Sequence, residues 1–125
     1  MPALPAPNFV ILYVASPIDS ARFYTDLLGQ PPLESSPGFA MFALNPATML
    51  GLWAAPHVAP QATPPGGSEI AFSLDSAQAL EAVHAEWRAK GLPIAQPPTA
   101  MDFGLTFVAI DPDGHRLRVL VPSAP

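Results

Sequence analysis

Few side chains in this sequence can do chemistry, and the ones to ask about first are Glu69, Arg118 and Trp53. Glu69 opens the stretch EIAFSL, and Arg118 stands two residues after Arg116 in the run Arg116 to Val121. A carboxylate and a guanidinium can orient a polar ligand, with Arg118 as the anion partner, or hold each other as an ion pair across neighbouring strands. The residues alone leave both readings open. Trp53 ends another apolar stretch, where an indole either stacks on a planar ligand or packs as a half-buried strand-end residue. His57, His84 and His115 show neither the i, i+4 spacing of a helical metal pair nor a triad context for a nucleophile. Asp111 and Asp113 are turn formers, not a carboxylate pair for acid–base work. There is no cysteine, which excludes disulfides, zinc thiolates and thiol chemistry. No glycine-rich phosphate loop is present, and no residue is assigned a catalytic role.

These residues need elements to position them. Phe9 to Val14 (FVILYV) is β-branched and aromatic and predicts a buried strand. Ser16-Pro17-Ile18-Asp19 starts a helix, with Ser16 as cap and Pro17 in the first turn, and Gly29 stops it. Its expected buried stripe is Ile18, Ala21, Tyr24, Leu27 and Leu28. Short strands are expected over Pro32 to Ser35, Phe39 to Leu44 and Thr48 to Ala54. Pro56 to Gly67 reads as an irregular linker. The same order then returns: a strand from Glu69 to Leu74, then a helix opened by a capping box over Asp75 to Gln78. That helix carries Leu80, Val83, His84 and a core Trp87, and ends before Gly91. Strands follow over Leu92 to Ala95, Phe103 to Ile110 and Arg116 to Val121. The last two form a hairpin around Asp111-Pro112-Asp113-Gly114, in which Pro112 pre-sets φ and Gly114 supplies a positive one. The order of elements is thus written twice, an internal repeat.

The bulk numbers narrow the function classes. A chain of 125 residues is one domain's worth, and half of it is apolar, enough for a core despite eighteen prolines. Those prolines cluster at the two termini, over 56–65 and around Pro97-Pro98, where connections are expected. A net charge of −5 with five Lys and Arg argues against nucleic acid. The N-terminus lacks a secretory signal and no apolar run reaches membrane-spanning length, so the expectation is a cytoplasmic protein without membrane contact.

LYVASPIDSARFYTDLLG (12–29) and FVAIDPDGHRLRVLVP (107–122), together with the repeated order of elements, resemble the vicinal-oxygen-chelate superfamily of glyoxalases, bleomycin-resistance proteins and extradiol dioxygenases. The resemblance implies an α+β fold, two βαβββ modules forming a cupped mixed sheet. Module one spans about residues 8–55, the linker 56–67 and module two 68–122 of a single domain. It also implies a homodimer whose cup holds a small molecule. In metal-dependent members His or Glu residues stand on the cup floor. Alignment puts Phe9, Glu69 and Arg118 at such positions, and neither Phe nor Arg can donate a lone pair to a cation. No metal ligand or cofactor is therefore expected.

Within the superfamily the segments LYVASPIDSARFY, GLW, SEIAF and DFGLTFVAIDPDGHRLRV are most similar to metal-free phenazine-antibiotic resistance proteins. That similarity implies a planar aromatic ligand stacked on Trp53. Phe103, Phe39, Phe42 and Met101 are expected in the cup wall with Met41 and Phe107, Glu69 and Arg118 at the polar edge, and His57 over the mouth. The alternative is a divalent-metal enzyme of glyoxalase or dioxygenase type with Glu69 and His57 among its ligands.

Overall fold

The computed structural model describes residues 3–123; the outermost residues of the two proline-bearing termini lie outside them. Contacts divide the chain after Pro64 into two compact units. Each is a mixed four-stranded sheet with one helix against one face, an α+β architecture.

The first unit contains β1 (Phe9–Val14), α1 (Pro17–Leu28), β2 (Glu34–Ser35), β3 (Phe39–Asn45) and β4 (Thr48–Ala54), with sheet order β1-β4-β3-β2. β1 runs parallel to β4, and the other pairs are antiparallel. The Ser16 side chain accepts from the Asp19 amide and starts α1, and the Gly29 amide donates to the Thr25 carbonyl to end it. Ala21 and Tyr24 of this helix are buried with Ala40, Phe42, Leu50 and Leu52 of β3 and β4. The Tyr24 and Phe42 rings meet edge-on at 6.5 Å. Side chains alternate along a strand, so the opposite face carries Phe9, Ile11 and Tyr13, then Gly51 and Trp53, then Met41 and Phe39.

The second unit contains β5 (Glu69–Ser73), α2 (Ala77–Ala89), β6 (Ile94–Met101), β7 (Gly104–Ile110) and β8 (Arg116–Pro122), ordered β5-β8-β7-β6. Trp87 of α2 is core, packed on Phe72 at 6.2 Å and on Phe107 at 5.4 Å, above buried Leu117 and Val119. Leu117 and Val119 face the helix, so Arg116, Arg118 and Leu120 face away from it. The β7–β8 hairpin turns as expected. The buried Asp111 carboxylate accepts from the amides of Asp113 (2.9 Å) and His115 (2.8 Å), an internal cap that fixes the turn.

Several expectations need correction. β6 runs eight residues through Pro97-Pro98, where a connection was expected. It is an edge strand with register shifts on both sides of Gln96; at an edge one proline's missing N–H can face away from the sheet, and the shift between Gln96 and Thr99 is the irregularity that accommodates the other. α2 is capped by Ser76, which accepts from the Ala79 amide, so the Asp75-based capping box does not form. The first half of β1 is exposed, with Phe9 at 41% and Ile11 at 47%, because nothing in its own unit covers that edge. Ile18 is likewise exposed on α1. A single 3-10 turn, Ala55–His57, interrupts the segment expected to be irregular. Phe103 falls in the turn before β7 and not in the strand.

Candidate functional site

On the helix-free face of the second unit, β5 and β8 bring Glu69 and Arg118 together. Ala71 is the register partner of Arg118, so Glu69 leans diagonally across the parallel pair to reach the guanidinium. Arg118 Nε donates to Glu69 Oε1 at 2.8 Å and Nη2 donates to Oε2 at 2.9 Å, a bidentate fork. Nη1 donates to Gln96 Oε1 at 3.3 Å and to Thr106 Oγ1 at 3.2 Å. Thr106 in turn donates its hydroxyl to the Val119 carbonyl, which leaves its lone pairs facing the guanidinium. The Phe103 ring lies 5.9 Å from the guanidinium carbon, a cation–π contact. Gln96 also donates to Met101 Sδ at 3.4 Å, tying that exposed side chain to the same group. Arg118 has thus committed four of its five donors, and both Glu69 oxygens are taken.

The Arg118 hydrogen bonds hold the Glu69 carboxyl below its ordinary value of 4.5; partial burial opposes this, and the charges of Arg118 and Arg116 reinforce it. Arg118 is pushed up by the same carboxylate and stays charged. A depressed carboxyl stabilises the fold above its unfolded pKa, and that contribution disappears as pH falls through the lower folded value. The side chains are 19% and 31% exposed, so solvent weakens the pair relative to a buried one. Arg118→Met is expected to cost about 1–2 kcal/mol at neutral pH. The wild type should also lose stability more steeply than this variant as pH drops below 4.5. Urea unfolding over a pH series checks both, and matching acid profiles would show that the pair contributes nothing.

The first unit presents apolar groups at the corresponding place. Phe9 and Phe39 both lean over Gly51: a β-carbon added there would lie 2.9 Å from Phe39 Cζ and 3.1 Å from Phe9 Cε1. Gly51 therefore makes room for two rings. Trp53 is half-buried, opposite Phe39 on one side and Tyr13 on the other, with the Tyr13 ring edge-on at 6.4 Å. His57 lies against Gly38, one residue before Phe39. The two units use one equivalent sheet position differently: where Glu69 reaches Arg118 in the second, Phe9 reaches over Gly51 in the first.

Among the expected site residues, the second unit gathers Glu69, Arg118, Phe103 and Met101 into one group. The first unit places Trp53 and Phe39 on one sheet face, with His57 beside them. Phe42 departs from the expectation: it is fully buried beneath α1, on the face opposite Phe39. Phe107 departs in the same way beneath α2. Neither can line a helix-free sheet face. Sequence reasoning missed Tyr13, Gln96 and Thr106. The parity of Thr106 with Arg118 across an antiparallel hairpin was a usable signal; Gln96, next to a register shift, gave none.

The positions where the superfamily resemblance places metal ligands do not fit a divalent cation. Phe9 offers no donor atom, Arg118 is itself a cation, and the Glu69 oxygens already accept from Arg118. Among the described residues no three His, Asp or Glu side chains converge as a metal-binding group. No helix among them is long and apolar enough to cross a membrane.

Comparison with known proteins agrees with this architecture. The family model described as "Glyoxalase/Bleomycin resistance protein/Dioxygenase superfamily" matches residues 6–119. The phenazine antibiotic resistance protein EhpR of Enterobacter agglomerans is 28% identical over 116 residues, covering 90% of this chain and 89% of that protein. The solution structure of protein ATC0852 from Agrobacterium tumefaciens is 43% identical with a TM-score of 0.88, covering 97% of this chain and all of that one. A glyoxalase-related enzyme from Fulvimarina pelagi, 22% identical, shares the fold with a TM-score of 0.83 over 94% of this chain and 88% of its own. With two βαβββ units in sequence and a family match over nearly its whole length, this chain belongs to the glyoxalase/bleomycin resistance protein/dioxygenase superfamily.

Proposed function

We propose that the protein binds a planar aromatic small molecule of the phenazine type and sequesters it without making or breaking a bond in it. The observation that carries this reading is the commitment of Glu69 and Arg118 to each other and to Thr106 and Gln96. A carboxylate held in this way is neither a metal ligand nor a general base. The aromatic face around Trp53 supports the same reading, because a flat apolar ligand gains burial and ring stacking there. Likeness to a phenazine antibiotic resistance protein supports the ligand class. Sequestration would lower the free concentration of such a compound in the cytoplasm, which is resistance by binding.

The reading includes a homodimer. β1 is an edge strand that exposes Phe9, Val10 and Ile11, apolar surface that a second copy would cover.

Tryptophan-fluorescence titration with phenazine tests the proposal. The expected result is saturable quenching and recovery of the compound unchanged after prolonged incubation. Absence of saturable quenching, or a chemically altered compound, would sink it.

A further inference from the structure

On the helix-free face of the first unit, Phe39 and Trp53 are direct neighbours across the β3–β4 pair. The Phe39 backbone turns the other way. Its carbonyl accepts from the Ser36 amide at 2.9 Å and from the Ser36 hydroxyl at 3.0 Å, and its amide donates to that hydroxyl at 3.2 Å. The Phe39–Trp53 pair is therefore of the non-hydrogen-bonded kind, in which opposite side chains stand closest, with β-carbons about 4.5–5.5 Å apart. A phenylalanine so placed is within easy reach of the indole, yet the two rings do not meet. Among the described residues the only ring that Trp53 contacts is Tyr13. The Phe39 ring lies instead two residues along β4, with Cζ and Cε1 at 2.9 and 3.1 Å from where a β-carbon on Gly51 would stand. Carbon atoms in ordinary contact are about 3.5–4.0 Å apart, so the ring fills space that any side chain at position 51 would claim.

We propose that Gly51 is a positioning residue of the aromatic face: its bare backbone is a slot that parks the Phe39 ring and so leaves the flank of Trp53 open to a planar ligand. This role rests on the proposed binding of a planar aromatic molecule at Trp53, and every residue in it belongs to the first unit.

Alanine at position 51 would act through Phe39. The φ of Gly51 lies outside the positive range, so alanine fits its backbone without strain. The nearest atoms its β-carbon would meet are the ends of the Phe39 and Phe9 rings, which can rotate. Phe9 can turn to solvent, because it is exposed on an edge strand. The Phe39 backbone is held by Ser36 on one side and by β4 on the other, so only its side-chain torsions are free to respond. In a strand the other common rotamer leans the opposite way along the chain. That movement takes the ring off Gly51 and back beside its cross-strand neighbour, Trp53.

A double-mutant cycle on Gly51→Ala and Phe39→Ala tests the proposal. Equilibrium dialysis against phenazine serves as the assay, since it does not depend on tryptophan emission. Gly51→Ala is expected to weaken binding by about five- to tenfold, the worth of one ring-stacking contact. In the Phe39→Ala background the same substitution should change affinity by less than about twofold, because the ring through which it acts is gone. A Gly51→Ala protein that binds as the wild type does, or an equal loss in both backgrounds, would overturn the role of Gly51 and leave the binding function standing. A wild type that does not bind phenazine would overturn both. A measurement on the wild type decides the matter if the variant fails to fold. Nuclear Overhauser contacts between the Phe39 ring and the Gly51 α-protons are expected in the free protein and in its phenazine complex. Loss of those contacts on binding would overturn the proposal.

Discussion

Gly104→Ala should lower the unfolding free energy by about 3 kcal/mol or more. Two causes add. The φ of Gly104 is +141°, a region that side chains strain to adopt. A β-carbon there would also collide with the Val121 carbonyl oxygen, inside the β7–β8 ladder. A colliding side chain can rotate away, but a ladder carbonyl moves only with its strand. Relief would have to pull β7 from β8, and with it Phe103, whose carbonyl accepts from the Ser123 amide at 2.8 Å. Urea denaturation gives the number directly. An ordinary glycine-to-alanine change in an unstrained backbone stabilises by about 0.4–1 kcal/mol, so a loss below about 1 kcal/mol here would mean that the strand pair yields more easily than this geometry implies.

Trp53→Ala should weaken binding of a planar aromatic ligand by about ten- to a hundredfold while the chain stays folded. The indole stands between Tyr13 and Phe39 on a helix-free sheet face and is only half-buried, so its removal opens no core cavity. Trp87 provides the contrast. It sits between Phe72 and Phe107 under α2, and its truncation should reduce stability before it touches affinity. Calorimetry for affinity and circular dichroism for folding separate the two effects. Unchanged affinity in Trp53→Ala would remove Trp53 from the site.

Much of the architecture was legible because local chemistry and pattern agreed. Ser16-Pro17 started α1, Gly29 ended it, and Asp111 to Gly114 made the hairpin turn, each through a bond that one residue makes with its neighbours. β6 was illegible for the opposite reason. Pro97-Pro98 argues locally against a strand, and only the position at the sheet edge reverses that preference.

The candidate site divided along the same line. Glu69 and Arg118 could be singled out because charged residues among apolar strands are conspicuous. Of their partners, Thr106 could have been found from its parity with Arg118 across the hairpin, but Gln96 could not, since its place opposite Arg118 depends on a shifted register. Phe39 and Phe42 differ by an odd number of positions and so face opposite sides of β3. Strand parity, applied strictly, would have sent Phe42 to the core.

The central claim, a metal-independent binding protein, is met most directly by one measurement. It is calorimetric titration of chelator-stripped protein with phenazine-1-carboxylate, repeated after adding nickel, zinc, manganese or iron(II). The account predicts saturable binding by the stripped protein and no change in affinity when metal is restored. Binding that appears only with metal, or tight uptake of one metal ion per chain, would contradict it.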